Sequence, residues 1–396
     1  MKKYKLGDIL ELQRGYDLPH SEMEEGNVPV AGSSGIIGYH SISKIDPPCI
    51  TIGRSGSVGK LFFYNEAIWP HNTSLYIKSF KNNNEKYIFY LLKTVDFERL
   101  CDSSVVPSLN RNFVYPIKVP FYDNIADQQK IAAVLSSLDD KIALNNRINA
   151  KLEQMAKRLY DYWFVQFDFP NADDKPYKST GGKMVWNEEL KREIPEGWEV
   201  KSINDISVSY RGVGYTADDE KSETDENVVL ILRGNNISNN HIVFDSNTVY
   251  LDKTFVSPDQ EIHKFDLVIT MSSGSKEHVG KSAMFLYDSS HSYGAFCNKI
   301  TPNEDCQYFL ENYLHSEYFK KYIKVTCSGT GINNLTNEHF DKAKFAFPDD
   351  EVLNAFNEKM KVIYEKRGIL EQENLKLTSM RDKLLPLLMN GQVVVE

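Results

Sequence analysis

The feature that most constrains this chain is that it says roughly the same thing twice. The segment YKLGDILELQRGYDLP, starting at Tyr4, is answered by WEVKSINDISVSYRGVGYT, starting at Trp198, and each leads into an Arg-Gly turn, Arg14-Gly15 and Arg211-Gly212. PPCITIGRSGSVGKLFFY is answered by FDLVITMSSGSKEHVGKSAMFLY: a β-branched strand, a Gly/Ser-rich loop, a Gly-Lys pair and an aromatic strand. KYIFYLLKTVDFERL and QYFLENYLHSEYFKKYI both place apolar residues at helical spacing. A polar turn follows in each copy, VPSLNRNFVYPIKVP or GTGINNLTNEHFDKAKFAFP, and each copy ends in a long helix. A period of this length implies a duplicated architecture, and 396 residues exceed the usual size of one hydrophobic core.

The helices are the best-defined elements. Ile131, Leu135, Leu138, Ile142, Asn145, Asn149, Leu152, Ala156 and Leu159 alternate spacings of four and three, a heptad seam with two asparagines at its middle. The second seam runs Phe356, Met360, Ile363, Arg367, Leu370, Asn374, Leu377, Arg381, Leu384, Leu388, and is also polar near its centre. A polar residue on such a seam costs stability but selects one register, because a shifted pairing buries it unsatisfied. The two helices are therefore expected to pair with each other, although packing of each on its own domain is the alternative. Roughly 35 residues at ~1.5 Å per residue make a helix of about 50 Å, longer than a compact domain requires.

Together these features predict an α+β fold: two similar globular domains separated by two long helices in an antiparallel coiled coil, related by a pseudo-twofold axis. The expected boundaries are 1–122 and 197–348 for the domains, 123–165 and 349–390 for the helices, and 166–196 for a linker. The five cysteines are scattered without a C-x-x-C pair, which suggests neither a disulfide framework nor a zinc site and fits a reducing cytoplasm. Asp8 and Glu11 interrupt the N-terminus before any apolar run of signal-peptide length, and no later stretch is long enough to span a bilayer. A cytoplasmic protein that is neither exported nor membrane-embedded is expected.

The segment Leu159 to Val200, LYDYWFVQFDFPNADDKPYKSTGGKMVWNEELKREIPEGWEV, resembles the junction after the central helix of type I restriction-modification specificity subunits. There an aromatic run and a polar linker enter the second target-recognition domain through I-P-x-G-W-x. Asp127-Gln128-Gln129-Lys130-Ile131, with Pro120 before it and Leu138-Asp139-Asp140-Lys141-Ile142 after it, is similar to the family's helix start; here IADQQ replaces a more apolar lead. LLPLLMNGQVVV resembles the family's C-terminal end, and LRGNNISNNHI, Leu232 to Ile242, is similar to the opening of many of its recognition domains. The resemblance covers nearly the whole chain. It implies a non-catalytic reader of double-stranded DNA that recognises a two-part, asymmetric site, one half per domain. It also implies assembly with two methyltransferase subunits and, for restriction, two motor-nuclease subunits.

Catalytic alternatives fail on spacing. A phosphate-binding loop needs four residues between its glycines, whereas Gly53 to Gly59 and Gly274 to Gly280 each enclose five. Asp46-Pro47-Pro48-Cys49 is similar to an amino-methyltransferase motif but has cysteine where the aromatic residue should stack a base, and no glycine-rich cofactor strand precedes it. The nine histidines lack metal-ligand spacing. No cofactor, metal or catalytic residue is expected. The net charge of −9 is awkward for a DNA binder, since phosphate contacts supply most sequence-independent affinity. The basic residues are therefore expected on one face, with partners supplying further phosphate contacts.

Base and phosphate contacts call for Arg, Lys, Asn, Gln and Ser at loop edges. In the first copy these are Arg14, Arg54, Ser55, Ser57, Lys60, His71, Asn72, Ser74, Asn110 and Arg111. In the second they are Arg211, Tyr215, Arg233, Asn235, Asn236, Ser273, Lys276, His278, Lys281, Asn298, Lys299 and Asn333. A solvated loop cation or a turn-capping Asn is the plain alternative for each. A coiled-coil scaffold whose twin domains bind protein or ligand remains the rival reading of the whole chain.

Overall fold

Strand Cys49–Gly53, CITIG, is buried along its whole length, and so is Leu267–Thr270, LVIT. A strand covered on both faces reads as a continuous apolar run, and these two sit inside their sheets. The computed structural model describes residues 1–100, 108–244, 248–275, 277–327 and 333–395. They divide into two compact units, residues 1–145 with 373–396 and residues 146–372.

In the first unit, Glu11–Arg14, Ser74–Ser79, Cys49–Gly53 and Leu61–Tyr64 lie side by side in that order, every neighbour antiparallel. A smaller sheet holds Gly35–His40, Val28–Gly32 and Trp69–Pro70, the last parallel. Lys2–Lys5 pairs with Lys118–Phe121. The second unit has the same plan: Ser207–Arg211, Cys297–Pro302, Leu267–Thr270 and Ser282–Met284 in one sheet, Val249–Asp252, Val228–Leu232 and the parallel Ser292–Tyr293 in the other. Glu199–Ser202 pairs with Lys344–Phe347. Strand order along the chain and across the sheets is thus the same twice over, in a mixed α+β architecture.

A helix follows the larger sheet in each unit. Glu85–Leu92 starts at Asn84, whose side chain accepts the Tyr87 amide at 2.9 Å, one of the unpaired donors of the first turn. It buries Tyr87, Ile88 and Leu91 against Leu12, Ile50, Ile52, Leu75 and Ile77. Its counterpart, Gln307–Leu314, lies in an aromatic core to which the junction contributes Tyr160, Trp163, Phe164, Phe167 and Trp198. The Phe164 ring stands 5.0 Å from Phe309 and 4.7 Å from Phe356, both close to edge-on, a favoured aromatic geometry.

The long helices are Ile125–Tyr160 and Asp350–Met389. In the first unit the Asn145 amide donates to Glu373 at 2.8 Å and to Asn374 at 2.9 Å, while Arg381 donates to Asp139 at 2.9 Å. In the second unit Arg367 reaches Glu153 at 3.1 Å. Residue numbers rise on one helix as they fall on the other, so these contacts are antiparallel within each unit. Along the seams, Ile131, Asn145, Asn149, Phe356, Ile363 and Leu370 are buried; Leu138, Leu152, Leu159, Asn374, Leu377 and Leu384 are half-buried.

Candidate nucleic-acid interface

Each Arg-Gly turn is closed by the same main-chain bonds. The Gly15 amide donates to the Ser74 carbonyl and the Tyr16 amide to Pro70; the Gly212 amide donates to Cys297 and the Val213 amide to Tyr293. A Cβ on Gly15 would lie 2.1 Å from the His71 carbonyl oxygen, and one on Gly212 would lie 2.2 Å from that of Gly294. Both turns therefore require glycine, for close approach of two backbones. Arg14 and Arg211 are thereby presented at equivalent places, both exposed.

The Gly/Ser-rich loops share a second set of bonds. The amides of Arg54 and Ser55 both donate to the Thr73 carbonyl, at 2.8 and 3.2 Å, and those of Met271 and Ser272 both donate to Phe296, also at 2.8 and 3.2 Å. Leu109 then donates to the Arg54 carbonyl at 2.8 Å, and Leu335 to Met271 at 2.7 Å. The loops close at Gly59 and Gly280, whose amides donate to Gly53 and Thr270 at 2.9 Å and whose φ angles are +77° and +79°. Lys60 and Lys281 follow at equivalent positions. The counterpart of Gly53 is Thr270 rather than Gly274, so the first loop spans residues 54–58 and the second 271–279.

These bonds bring most of the first copy's candidates together. The Asp17 carboxylate accepts from Arg14 at 3.2 Å and also from the Asn72 side chain, holding the two side by side. Arg54 donates to the Asn72 carbonyl at 3.2 Å, and Arg111 to the Leu12 carbonyl at 3.3 Å. Ser55 bridges to Ser108, next to the turn in which the Asn110 side chain accepts the Asn112 amide. His71 lies 2.9 Å from the Thr73 hydroxyl, and burial holds its pKa below the ordinary value, so near neutrality the ring is an uncharged hydrogen-bonding group. Ser57 is half-buried and Lys60 exposed.

In the second copy, Asn235 and His278 are exposed, and Lys281 donates to His278 at 3.2 Å. The Ser273 hydroxyl accepts the Ser275 amide, and Ser273 pairs with the Asn333 backbone. Tyr215 is half-buried beside Arg233; burial raises its pKa and the Arg233 charge opposes that. Lys276 and the Asn333 side chain lie outside the described residues.

Four candidates face inward, which corrects their assignment to the surface. The Ser74 hydroxyl donates to the carbonyls of Ala31 and His71. Asn236 is fully buried, accepting the Arg233 amide and donating to the Val243 carbonyl. Asn298 donates to the Ser209 hydroxyl. Lys299, 4% exposed, donates to the Glu261 carbonyl at 2.7 Å and stands 3.5 Å from Asp266. A buried polar group has to be paired, and these are paired inside the domain.

The family model described as Type I restriction modification DNA specificity domain matches residues 1–154 and again 195–378. The chain belongs to the type I restriction-modification specificity subunits. It is 25% identical over 317 residues to the type I restriction enzyme MjaIX specificity subunit of Methanocaldococcus jannaschii, covering 78% of this chain and 69% of that one. It is 32% identical over 157 residues to the EcoKI specificity subunit of Escherichia coli, covering 39% of this chain and 33% of the relative. The crystal structure of the type I system S subunit from M. genitalium superposes with a TM-score of 0.59 at 16% identity, over 98% of this chain and 96% of the other. That likeness speaks to the fold.

In this specificity subunit the residues that sequence reasoning misses are Asp17, which ties Arg14 to Asn72, and Phe296, the counterpart of Thr73 and 69% exposed. Only main-chain bonds make Phe296 and Thr73 equivalent, so side-chain identity carries no signal for it. Among the described residues no His/Cys/Asp/Glu group could hold a metal, and no helix is long and apolar enough to cross a membrane.

Proposed function

We propose that this specificity subunit reads a two-part, asymmetric DNA site, one half-site per recognition domain, and has no catalytic centre of its own. The observation that carries this reading is the duplicated main-chain frame of Arg-Gly turn and Gly/Ser loop, which offers different side chains at equivalent positions in the two copies. Arg14, Arg54, Asn72, Asn110 and Arg111 form the first reading group, and Arg211, Arg233, Asn235, His278 and Lys281 belong to the second. Arg and Asn suit bidentate contacts to guanine and adenine edges, and exposed Lys60 and Lys281 suit phosphates.

The long helices act as an antiparallel coiled-coil spacer that sets the gap between half-sites, much as dimer geometry does for palindromic readers. Two methyltransferase subunits dock on them, and two motor-nuclease subunits join for restriction. Leu144, Met155, Val362, Ile369, Leu375 and Met380 are large apolar side chains exposed on the helices, as docking surfaces require. The acidic net charge favours a reader that grips DNA jointly with such partners.

Mapping adenine methylation across a host genome, with the methyltransferase subunit supplied and this chain present or absent, tests the proposal. A two-part motif with a fixed gap, seen only when the chain is present, is the expected result. Absence of any such motif from an assembled complex removes the DNA-reading role and favours the scaffold.

A further inference from the structure

We propose that Phe296 is the apolar reading element of the second recognition domain, seating its ring against the 5-methyl group of a thymine in the major groove. This rests on the DNA-reading role proposed above.

Phe296 and Thr73 occupy one place in the frame. Each carbonyl accepts two successive loop amides, and in each case the next residue's amide closes a turn, Ser74 onto His71 at 2.9 Å and Cys297 onto Gly294 at 2.8 Å. Main-chain geometry therefore fixes where the side chain begins. In the first copy Thr73 turns back into the protein, its hydroxyl accepting the Ser33 amide at 3.2 Å and meeting His71. In the second copy the phenyl ring stands out at 69% exposure, although Tyr293, Cys297 and Ile300 around it in the sequence are fully buried. The first copy closes the same turn with a small polar residue, so turn closure does not call for an exposed ring.

The partner position changes in the opposite sense. Arg54, half-buried and bonded to the Asn72 carbonyl, is replaced by Met271, which is 7% exposed. The second reader has thus lost a cation and gained an apolar surface within one device. Ser272, Ser273, Gly274 and Ser275 follow Met271 in the loop, so the ring is set beside a stretch suited to backbone and hydroxyl contacts with DNA. In the major groove the apolar feature that distinguishes one base from the others is the thymine methyl group. The arginine of the first copy, Arg54, suits guanine; the phenylalanine of the second, at the neighbouring Thr73 position of the frame, suits thymine.

The test uses the complete methyltransferase complex and the target defined by methylation mapping. Each thymine of the second half-site, on either strand, is replaced singly by deoxyuridine, which removes only the methyl group, and Kd is measured at fixed salt. Wild type should lose about fourfold in affinity at one position, the effect expected from one buried methyl group. Phe296→Thr, which installs the first copy's residue at an exposed site, should bind the thymine duplex more weakly by a similar factor. It should also bind thymine and uridine duplexes equally at that position. Uridine in the first half-site should affect both proteins alike. A second half-site with no thymine, no uridine-sensitive position in it, or a sensitivity that persists in Phe296→Thr would overturn the inference. Failure of the wild-type complex to bind either half-site specifically would overturn the DNA-reading role and the inference with it.

Discussion

In the first unit the helix contacts are organised around an acid, and in the second around a base. Asp139 accepts from Arg381 at 2.9 Å and from the Tyr90 hydroxyl at 2.7 Å, with Lys93 at 3.8 Å. Arg367, 3% exposed, reaches Glu153 at 3.1 Å and Glu311 at 3.5 Å, and His241 joins through Glu153 at 3.0 Å. In both units the acid on the seam comes from the first long helix and the arginine from the second. Pairing either helix with a copy of itself would set like charges together, so the charges select the mixed pair where the bond from Asn145 to Asn374 selects the register. The units differ in depth at the base: the seam acids Asp139 and Glu153 both keep 28% of the side chain exposed, but Arg381 keeps 23% against 4% for Arg367 and for its second partner, Glu311.

Depth sets the size of the expected effects. Arg367→Met leaves buried Glu311 without its cation, and Glu153 with His241 alone, and should destabilise the second unit by about 3–5 kcal/mol. Arg381→Met should cost the first unit less, about 1–3 kcal/mol, because water reaches both partners. Amide hydrogen exchange resolves the two units separately; equal losses would break the comparison.

The Arg-Gly turns should behave identically instead. Gly15→Ala and Gly212→Ala each force a methyl group into a carbonyl and should cost about 1–3 kcal/mol, within the unit that carries the change. A neutral result at one turn and not the other would mean that the frame is not shared. For the readers, Arg54→Ala should relax one position of the first half-site by about 1–3 kcal/mol and leave the second untouched. Lys60→Ala should weaken all sequences alike and lower the salt dependence. Methylation mapping and titrations at two salt concentrations separate these results.

The smallest effect is one of pH. The Glu153 hydrogen bond raises the His241 pKa, opposed by burial and the Arg367 charge and aided by Glu371, whose own pKa is raised by burial. Since the folded value lies above the unfolded 6.5, the histidine's contribution is fully present below pH 6.5. It is lost as pH rises through the elevated folded value. The stability gap between wild type and His241→Gln should therefore narrow as pH rises above 6.5. A gap constant from pH 5.5 to 9 would show that protonation plays no part.

Legibility in the sequence followed the range of each interaction. The long helices are readable because their heptad spacing is local, and Asn145 can be picked out by position alone. Arg367 reads only as an interruption of the seam: its partner Glu311 lies 56 residues away on a helix with its own period. The duplication is readable from strand and turn patterns, but its residue-level register is not. Aligning the loops on their glycines pairs Gly53 with Gly274, whereas the amides pair it with Thr270. Asn298 and Lys299 look like surface donors because nothing local reveals their acceptors, which lie 89 and 38 positions away; Ser74 and Asn236 bond within three to seven positions as well, but their burial is set by strands that lie far off in the sequence.

The loop frame is written in amides and carbonyls, a currency that nearly every residue carries. Arg54 can become Met271, and Thr73 can become Phe296, without a frame bond being lost. Mutational drift at these positions is therefore shielded from the folding requirement. A lineage can change the side chains such a loop presents while leaving intact the frame that holds it.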